Sequence, residues 1–187
     1  MIKEKYITSL SQSLSYILRH NPEDFELKMK IDGTIKLKDL IEALKEDNRF
    51  NNIELRDIKE LAASDKKNRF SIVDSKNGKS IKANYGHSIK WINLDYEEII
   101  PPRYLYHGTT NEVYQKILKD GIKKMGRNYV HLSKNKKQAR RVGERRTESP
   151  IILKILAKQM YEDGKSFFKT NSEIILTEYV NPKYIEI

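Results

Sequence analysis

Arg69-Phe70-Ser71-Ile72-Val73, then Asn77-Gly78, then Ser80-Ile81-Lys82-Ala83-Asn84 reads as strand, tight turn and return strand. Residues favouring a pleated backbone flank an Asn-Gly pair that suits the left-handed conformations of a hairpin turn. The chain before it is helical in pattern. Ile7, Leu10, Leu14, Ile17 and Leu18 recur at helical spacing, and the pattern stops before Asn21-Pro22. Asp32-Gly33 marks a turn. Leu37, Leu40, Ile41 and Leu44 lie on one face of a second helix, and Leu55, Ile58 and Leu61 on one face of a third, from about Glu54 to Ala63. Three short helices followed by a hairpin is the order of a winged-helix domain, an order that other small helical domains share.

Beyond the hairpin, Ile100-Pro101-Pro102 punctuates the chain and predicts a domain boundary, giving lobes of residues 1–100 and 101–187. In the second lobe strand signals dominate: Tyr104–His107, Tyr129–Leu132, Ile151–Leu156, Phe167–Lys169, Ile174–Thr177 and Tyr184–Ile187. Two short helices interrupt them, Glu112–Lys119, closed by Gly121, and Lys136–Val142. The fold class expected is α+β.

At 187 residues, 38% hydrophobic and 33% charged, the chain suits a globular protein able to bury a core. No apolar run approaches the roughly 20 residues of a membrane span, and the charged start Met1-Ile2-Lys3-Glu4-Lys5 is unlike a secretory signal, so a cytoplasmic location is expected. Zero cysteines exclude disulfides and thiolate metal sites. The net charge of +10 is unevenly placed: residues 1–100 hold 18 Lys and Arg against 17 Asp and Glu, residues 101–187 hold 18 against 9. Lys123 to Arg146 alone contains ten basic residues and one acid, Glu144. Such a concentration points to a polyanionic partner, although a solvated basic face produces the same count.

No two of the eight glycines form Gly-x-Gly, which removes the Rossmann fingerprint and the P-loop. Each of the four histidines, His20, His87, His107 and His131, stands by a glycine or polar neighbour where a turn or strand end reaches a cleft. A lone histidine in such a place is most often a satisfied structural group, and the usual close ligand spacings of a metal site are missing. Arg19, Arg69, Arg127, Arg145 and Arg146 stand near these histidines or near glycine. Planar guanidinium suits two-pronged phosphate recognition, whereas lysine acts as a point charge.

Eight blocks then resemble, in order and at matching spacing from about residue 10 to 182, the RNA 2′-phosphotransferase family: the tRNA-splicing enzyme and its bacterial relatives. They are Leu14-Ser15-Tyr16-Ile17-Leu18-Arg19-His20, Asp32-Gly33, Arg69-Phe70, Lys82-Ala83-Asn84-Tyr85-Gly86-His87-Ser88, Leu105-Tyr106-His107-Gly108-Thr109, Val130-His131-Leu132-Ser133, Val142-Gly143-Glu144-Arg145-Arg146 and Leu176-Thr177. The resemblance implies a winged-helix, RNA-binding lobe followed by an ADP-ribosyltransferase-like lobe that binds NAD without a Rossmann fold. It implies a metal-independent reaction on RNA bearing an internal 2′-phosphate, tRNA-like in type. In the first step the 2′-phosphate attacks the nicotinamide-bearing ribose carbon and expels nicotinamide. In the second the ribose 2″-hydroxyl attacks phosphorus, releasing 2′-OH RNA and ADP-ribose 1″,2″-cyclic phosphate.

By the same resemblance Arg19, His20, Arg69 and Arg127 form the catalytic group. Imidazole, with a reference pKa of roughly 6.5, suits His20 to acid–base work. His107, Gly108, Thr109, Thr110, His131, Leu132 and Ser133 would hold NAD, with Gly108 permitting close backbone approach. Lys82, Asn84, His87, Ser88, Arg145 and Arg146 would hold RNA or its phosphates. The chain departs from the family pattern at Lys82, where arginine is usual, at Tyr85 (glutamine), at Tyr129 (histidine), and at Ser172-Glu173-Ile174 (Asn-Gly-Val). In a regular strand Glu173 would face away from Ile174. A monomer is expected.

Two other classes compete. An ADP-ribosyltransferase acting on protein or nucleic-acid ends would stop after the first step, but would have no use for a second-step phosphate clamp. A winged-helix DNA-binding regulator would carry base charge on its third helix. Here that segment holds Glu54, Asp57, Glu60 and Asp65 against Arg56 and Lys59.

Overall fold

The computed structural model describes residues 4–75 and 78–187. It is α+β and divides into two compact units, Met1–Asp95 and Tyr96–Ile187. The division falls before Ile100-Pro101-Pro102 because residues 97–99 are tied to the second unit's sheet. Lys169 N–H donates to the Glu97 carbonyl at 2.9 Å, Ile99 N–H to the Phe167 carbonyl at 2.8 Å, and Glu98 bridges Phe168.

In the first unit α1 (Glu4–Arg19) buries Leu10, Leu14, Ile17 and Leu18, the stripe its periodicity predicts. Pro22 cannot continue the helix, and a 3₁₀ turn follows at Glu23–Phe25. The Asp32-Gly33 turn is built locally. Asp32 Oδ1 accepts from Thr34 N–H at 3.0 Å and from its hydroxyl at 2.7 Å, while Gly33 takes φ +75°, a left-handed value that costs glycine little. It feeds β1 (Ile35–Lys36), too short to show in the sequence pattern, and then α2 (Leu37–Lys45). A capping box of Glu54 and Asp57 opens α3 (Leu55–Ser64).

β2 (Phe70–Ser75) and β3 (Gly78–Ala83) pair antiparallel, Phe70 opposite Ala83 and Ile72 opposite Ile81. Of the turn between them, Asn77 lies outside the described residues. Strand order is β1-β3-β2, and Phe70, Ile81 and Ala83 complete the core begun by α1.

The second unit is a six-stranded sheet in the order β11-β7-β4-β6-β9-β8. Its strands are β4 (Leu105–Thr109), β6 (Val130–Ser133), β7 (Ile151–Ile155), β8 (Phe168–Lys169), β9 (Ile174–Thr177) and β11 (Ile185–Glu186), each neighbouring pair antiparallel. A small ladder joins β5 (Ile122–Lys123) to β10 (Tyr179–Val180). The helices are α4 (Asn111–Asp120), capped by Thr110, α5 (Lys136–Gly143), capped by Asn135, and α6 (Ala157–Glu162). Among the described residues no helix is long and apolar enough to cross a membrane. Glu173 precedes β9 and is exposed. Its carbonyl accepts from Lys134 N–H at 3.2 Å.

Candidate active site

In the first unit the end of α1 is tied to the loop after β3. Ser88 N–H donates to the Arg19 carbonyl at 2.9 Å, and His20 Nδ1 shares a 2.9 Å hydrogen bond with Ser88 Oγ. The Arg19 guanidinium lies over the Tyr85 ring, 5.0 Å from its centroid, a favourable position for a cation on a π face. Gly86, at φ +91°, lets the loop pass close: a β-carbon there would stand 3.4 Å from the Arg19 guanidinium. Tyr85, a departure from the family pattern, thus seats Arg19 on its ring while its hydroxyl donates to the Lys67 carbonyl at 2.9 Å.

The same loop reaches the start of β2. Asn84 N–H donates to the Arg69 carbonyl at 2.8 Å and its side-chain amide to the Asn68 carbonyl at 2.8 Å. Arg69 is gripped by Asp65, whose two carboxylate oxygens accept from the guanidinium and from the Arg69 N–H, both at 2.6 Å. Asp65 entered the sequence reading only as one acid of the third helix segment, not as the partner of Arg69. Its spacing of four before Arg69 was visible, but its position past the end of α3, where one carboxylate meets both backbone and side chain, was not.

His87 is buried, 4% exposed, and neither ring nitrogen has a hydrogen-bond partner among the described residues. Burial pushes its pKa down to about 4, and the charges of Arg19, His20 and Lys82 push the same way. The imidazole is therefore neutral at physiological pH. The structure thus groups Arg19, His20, Asn84, His87 and Ser88, joins Arg69 through Asn84, and brings Lys82 within electrostatic reach of His87 and Asp32.

In the second unit His107 and His131 stand on neighbouring strands. A carbonyl only accepts, so His107 Nδ1–H donates to the His131 carbonyl at 3.3 Å and His131 Nδ1–H to the Tyr129 carbonyl at 3.0 Å. With its pKa held down, the neutral His107 ring then presents Nε2 as an acceptor. Burial holds the His107 pKa below the ordinary imidazole value, the His131 carbonyl opposes this, and the Arg127 charge adds to the depression. Arg127 itself is exposed. The Tyr129 ring packs edge-on against Tyr96 and Phe168.

The remaining candidates divide. Thr109 and Ser133 are buried hydroxyls, 6% and 4% exposed. Thr110 caps α4, its oxygen accepting from Val113 N–H at 3.4 Å. Leu132 is a core side chain at 0% exposure, so only its backbone is available to a ligand. Gly108 has a different reason from the one expected. A β-carbon there would fall 2.1 Å from the Ala139 carbonyl oxygen and 3.1 Å from Gly143 N. The space is taken by the backbone of α5, and what the missing side chain permits is helix-on-strand packing.

Gln138, unnoticed in the sequence, has a buried amide oxygen with no partner among the described residues. Arg145 and Arg146 are exposed on the turn after α5. A cavity of ≈ 500 Å³ lined by Asp163, Lys165, Lys183 and Tyr184, among others, shares no residue with any of these groups. No cluster of three or more metal-ligating side chains occurs among the described residues.

With this geometry in hand, comparison with known proteins is direct. A family model described as RNA 2′-phosphotransferase, Tpt1/KptA family, matches residues 5–179. A probable RNA 2′-phosphotransferase of Flavobacterium johnsoniae is 40% identical over 186 residues, 99% of this chain and 98% of the relative. One of Bacillus thuringiensis subsp. konkukian is 33% identical over 187 residues, 100% and 98% of the two chains. A third, probable RNA 2′-phosphotransferase 1 of Archaeoglobus fulgidus, is 38% identical over 98% of this chain and 82% of its own.

Proposed function

The chain belongs to the RNA 2′-phosphotransferase, Tpt1/KptA, family, and from that membership we propose that it removes an internal 2′-phosphate from RNA with consumption of NAD⁺. The products are 2′-OH RNA, nicotinamide and ADP-ribose 1″,2″-cyclic phosphate. The observation that carries the reading is the knot at the end of α1, where Arg19, His20, Tyr85 and Ser88 are fastened together. A phosphate dianion needs orientation more than activation. Guanidinium groups fixed in advance by Tyr85 and Asp65 orient it and stabilise charge on its oxygens without reorganising. Lys82 adds charge but not two-pronged geometry. His20, exposed at the helix end, is the group that moves a proton.

The three helices and three-stranded antiparallel sheet of the first unit support its reading as a winged-helix, RNA-binding lobe. The antiparallel sheet of the second supports an ADP-ribosyltransferase-like lobe. Its polar groups fit a dinucleotide: the His107 and His131 rings oriented by carbonyls and the hydroxyls of Thr109 and Ser133, while the exposed Arg127 supplies a further guanidinium to the catalytic group. NAD⁺, when bound, supplies a ribose carbon from which nicotinamide departs and a ribose that carries the phosphate away. His107 and His131 would hold its hydroxyl or amide groups, and burial that holds the His107 pKa below the ordinary value would keep that ring an acceptor.

The test is to incubate purified protein with a 2′-phosphorylated oligoribonucleotide in EDTA, with and without NAD⁺, and identify products by mass. Conversion to 2′-OH RNA only with NAD⁺ is expected. Conversion without NAD⁺, a strict metal requirement, or ADP-ribose left on RNA or protein as the final product would overturn the proposal.

A further inference from the structure

Trp91 is the sole tryptophan of the chain and is 48% exposed, an uncommon setting for so large an apolar side chain. It belongs to the segment that continues from the phosphate-binding loop. Ser88, bonded to His20 and to the Arg19 carbonyl, lies three residues before it, at most about 11 Å along an extended chain. Beyond Trp91 the segment turns its apolar residues inward: Ile92 is buried, and a β-carbon on Gly33 would stand 3.8 Å from Ile92 and 3.4 Å from Leu94. Trp91 is left outward. Asn93 N–H donates to the Ile31 carbonyl at 2.9 Å, which joins this segment to a second one bearing an exposed apolar residue, Ile31, 67% exposed.

Lysines outnumber acids in the chain around these two residues. From Lys79 to Leu94 the chain has three lysines and no acid; Lys79 is paired with Asp74, Lys82 and Lys90 lie nearer Trp91 in the chain, and Asp95 is the first acid after it. Lys28 and Lys30 flank Ile31, and the acid beside it, Asp32, is turned onto Thr34. An exposed flat aromatic side chain in a lysine-bearing segment is the combination that holds single-stranded nucleic acid, lysines tracking the backbone while a base stacks on the ring. A protein partner or a membrane would want a broader apolar patch than two side chains provide.

We propose that Trp91 is a stacking platform for a nucleobase of the RNA next to its 2′-phosphate. The proposal rests on the RNA-phosphate reading above and adds to it a base-contacting subsite outside the group that handles the phosphate. Stacking on the π face is tolerant of base identity, so the subsite selects for an unpaired neighbouring nucleotide rather than for a sequence.

The single tryptophan makes the test direct. Fluorescence of the full chain, without NAD⁺, is followed while a short 2′-phosphorylated oligoribonucleotide is added. A matching oligonucleotide with abasic flanking residues is added in parallel, and anisotropy of labelled RNA reports affinity. Quenching by the intact RNA alone is expected. Trp91→Ala should weaken intact RNA about five- to a hundredfold and leave the abasic RNA unaffected, and Trp91→Phe, which keeps a ring, should lose only a few-fold. Intact RNA that binds with unchanged emission and equal affinity in Trp91→Ala would overturn the platform. It would leave the enzymatic reading standing, because NAD⁺-dependent conversion tests that separately. Failure of both RNAs to bind, with no conversion, would overturn both.

Discussion

At the scale of the residue, the neutral His87 is the feature with the clearest consequence. Its ring is buried beside Arg19, His20 and Lys82 with a pKa near 4, whereas an unfolded chain holds histidine near its reference value of about 6.5. Between those values the unfolded state binds the extra proton, so stability rises with pH there and is lost as pH falls through the window. The full loss below pH 4 is on the order of 3 kcal/mol. Denaturant unfolding from pH 7.5 to 4 should therefore show His87→Asn losing less stability on acidification than the parent. Parallel curves would mean that the ring charges freely in the folded state.

The sequence marked His87 as one of four histidines by turns and, through the family resemblance, as an RNA or phosphate residue, but not as a buried one. Its ring packs beside Gly33, where an added β-carbon would stand 3.6 Å from Nε2, fifty-four positions away in the chain. Arg19 and His20 were easier to read, because they end a helix whose apolar stripe is plain. Their fastening to Ser88 and Tyr85 is non-local and left no mark in local pattern.

Elements were legible in proportion to how far they are specified by their own residues. α1, α2 and α3 follow from apolar spacing, and β2 and β3 from a strand–turn–strand run. β1, β5 and β10, two residues each, exist only through partners such as Ile81 for Ile35, and α6 (Ala157–Glu162) follows β7 so closely that the strand signal hid it. The meeting of α5 with β4 was also invisible, because it depends on what is missing. Gly108 receives the Ala139 carbonyl, and a β-carbon at Gly143 would stand 2.4 Å from Pro150. Gly108→Ala therefore forces backbone against backbone, with no flexible side chain to yield. A loss of about 3 kcal/mol or more, at the upper end for overpacking, is expected in urea unfolding. A stability within 0.5 kcal/mol of the parent, roughly the range of neutral surface changes, would show that α5 shifts freely over the strand.

Across the whole molecule the excess of positive charge sits in residues 101–187, and the structure gives it a face. Along α5, Lys136, Lys137, Arg140 and Arg141 are exposed while Ala139 and Gly143 are buried, and Arg145 and Arg146 extend the exposed series past the helix end. Charges displayed this way act on a polyanion through counterion release, which fixes how affinity changes with salt. Each phosphate neutralised on a single strand contributes a slope of about −0.7 in log affinity against log salt. If Arg145 and Arg146 each hold one phosphate, replacing both with alanine should flatten that slope by about 1.4 and weaken binding most at low salt. Lys38, 84% exposed on α2 and paired with Glu42 at 3.9 Å, serves as the control, its alanine variant keeping the parent's slope. Anisotropy of a labelled 2′-phosphorylated RNA over a salt series measures all three lines. An Arg145→Ala, Arg146→Ala double variant whose line runs parallel to the parent's would remove both arginines from the RNA-binding set and leave that basic face a solvated one.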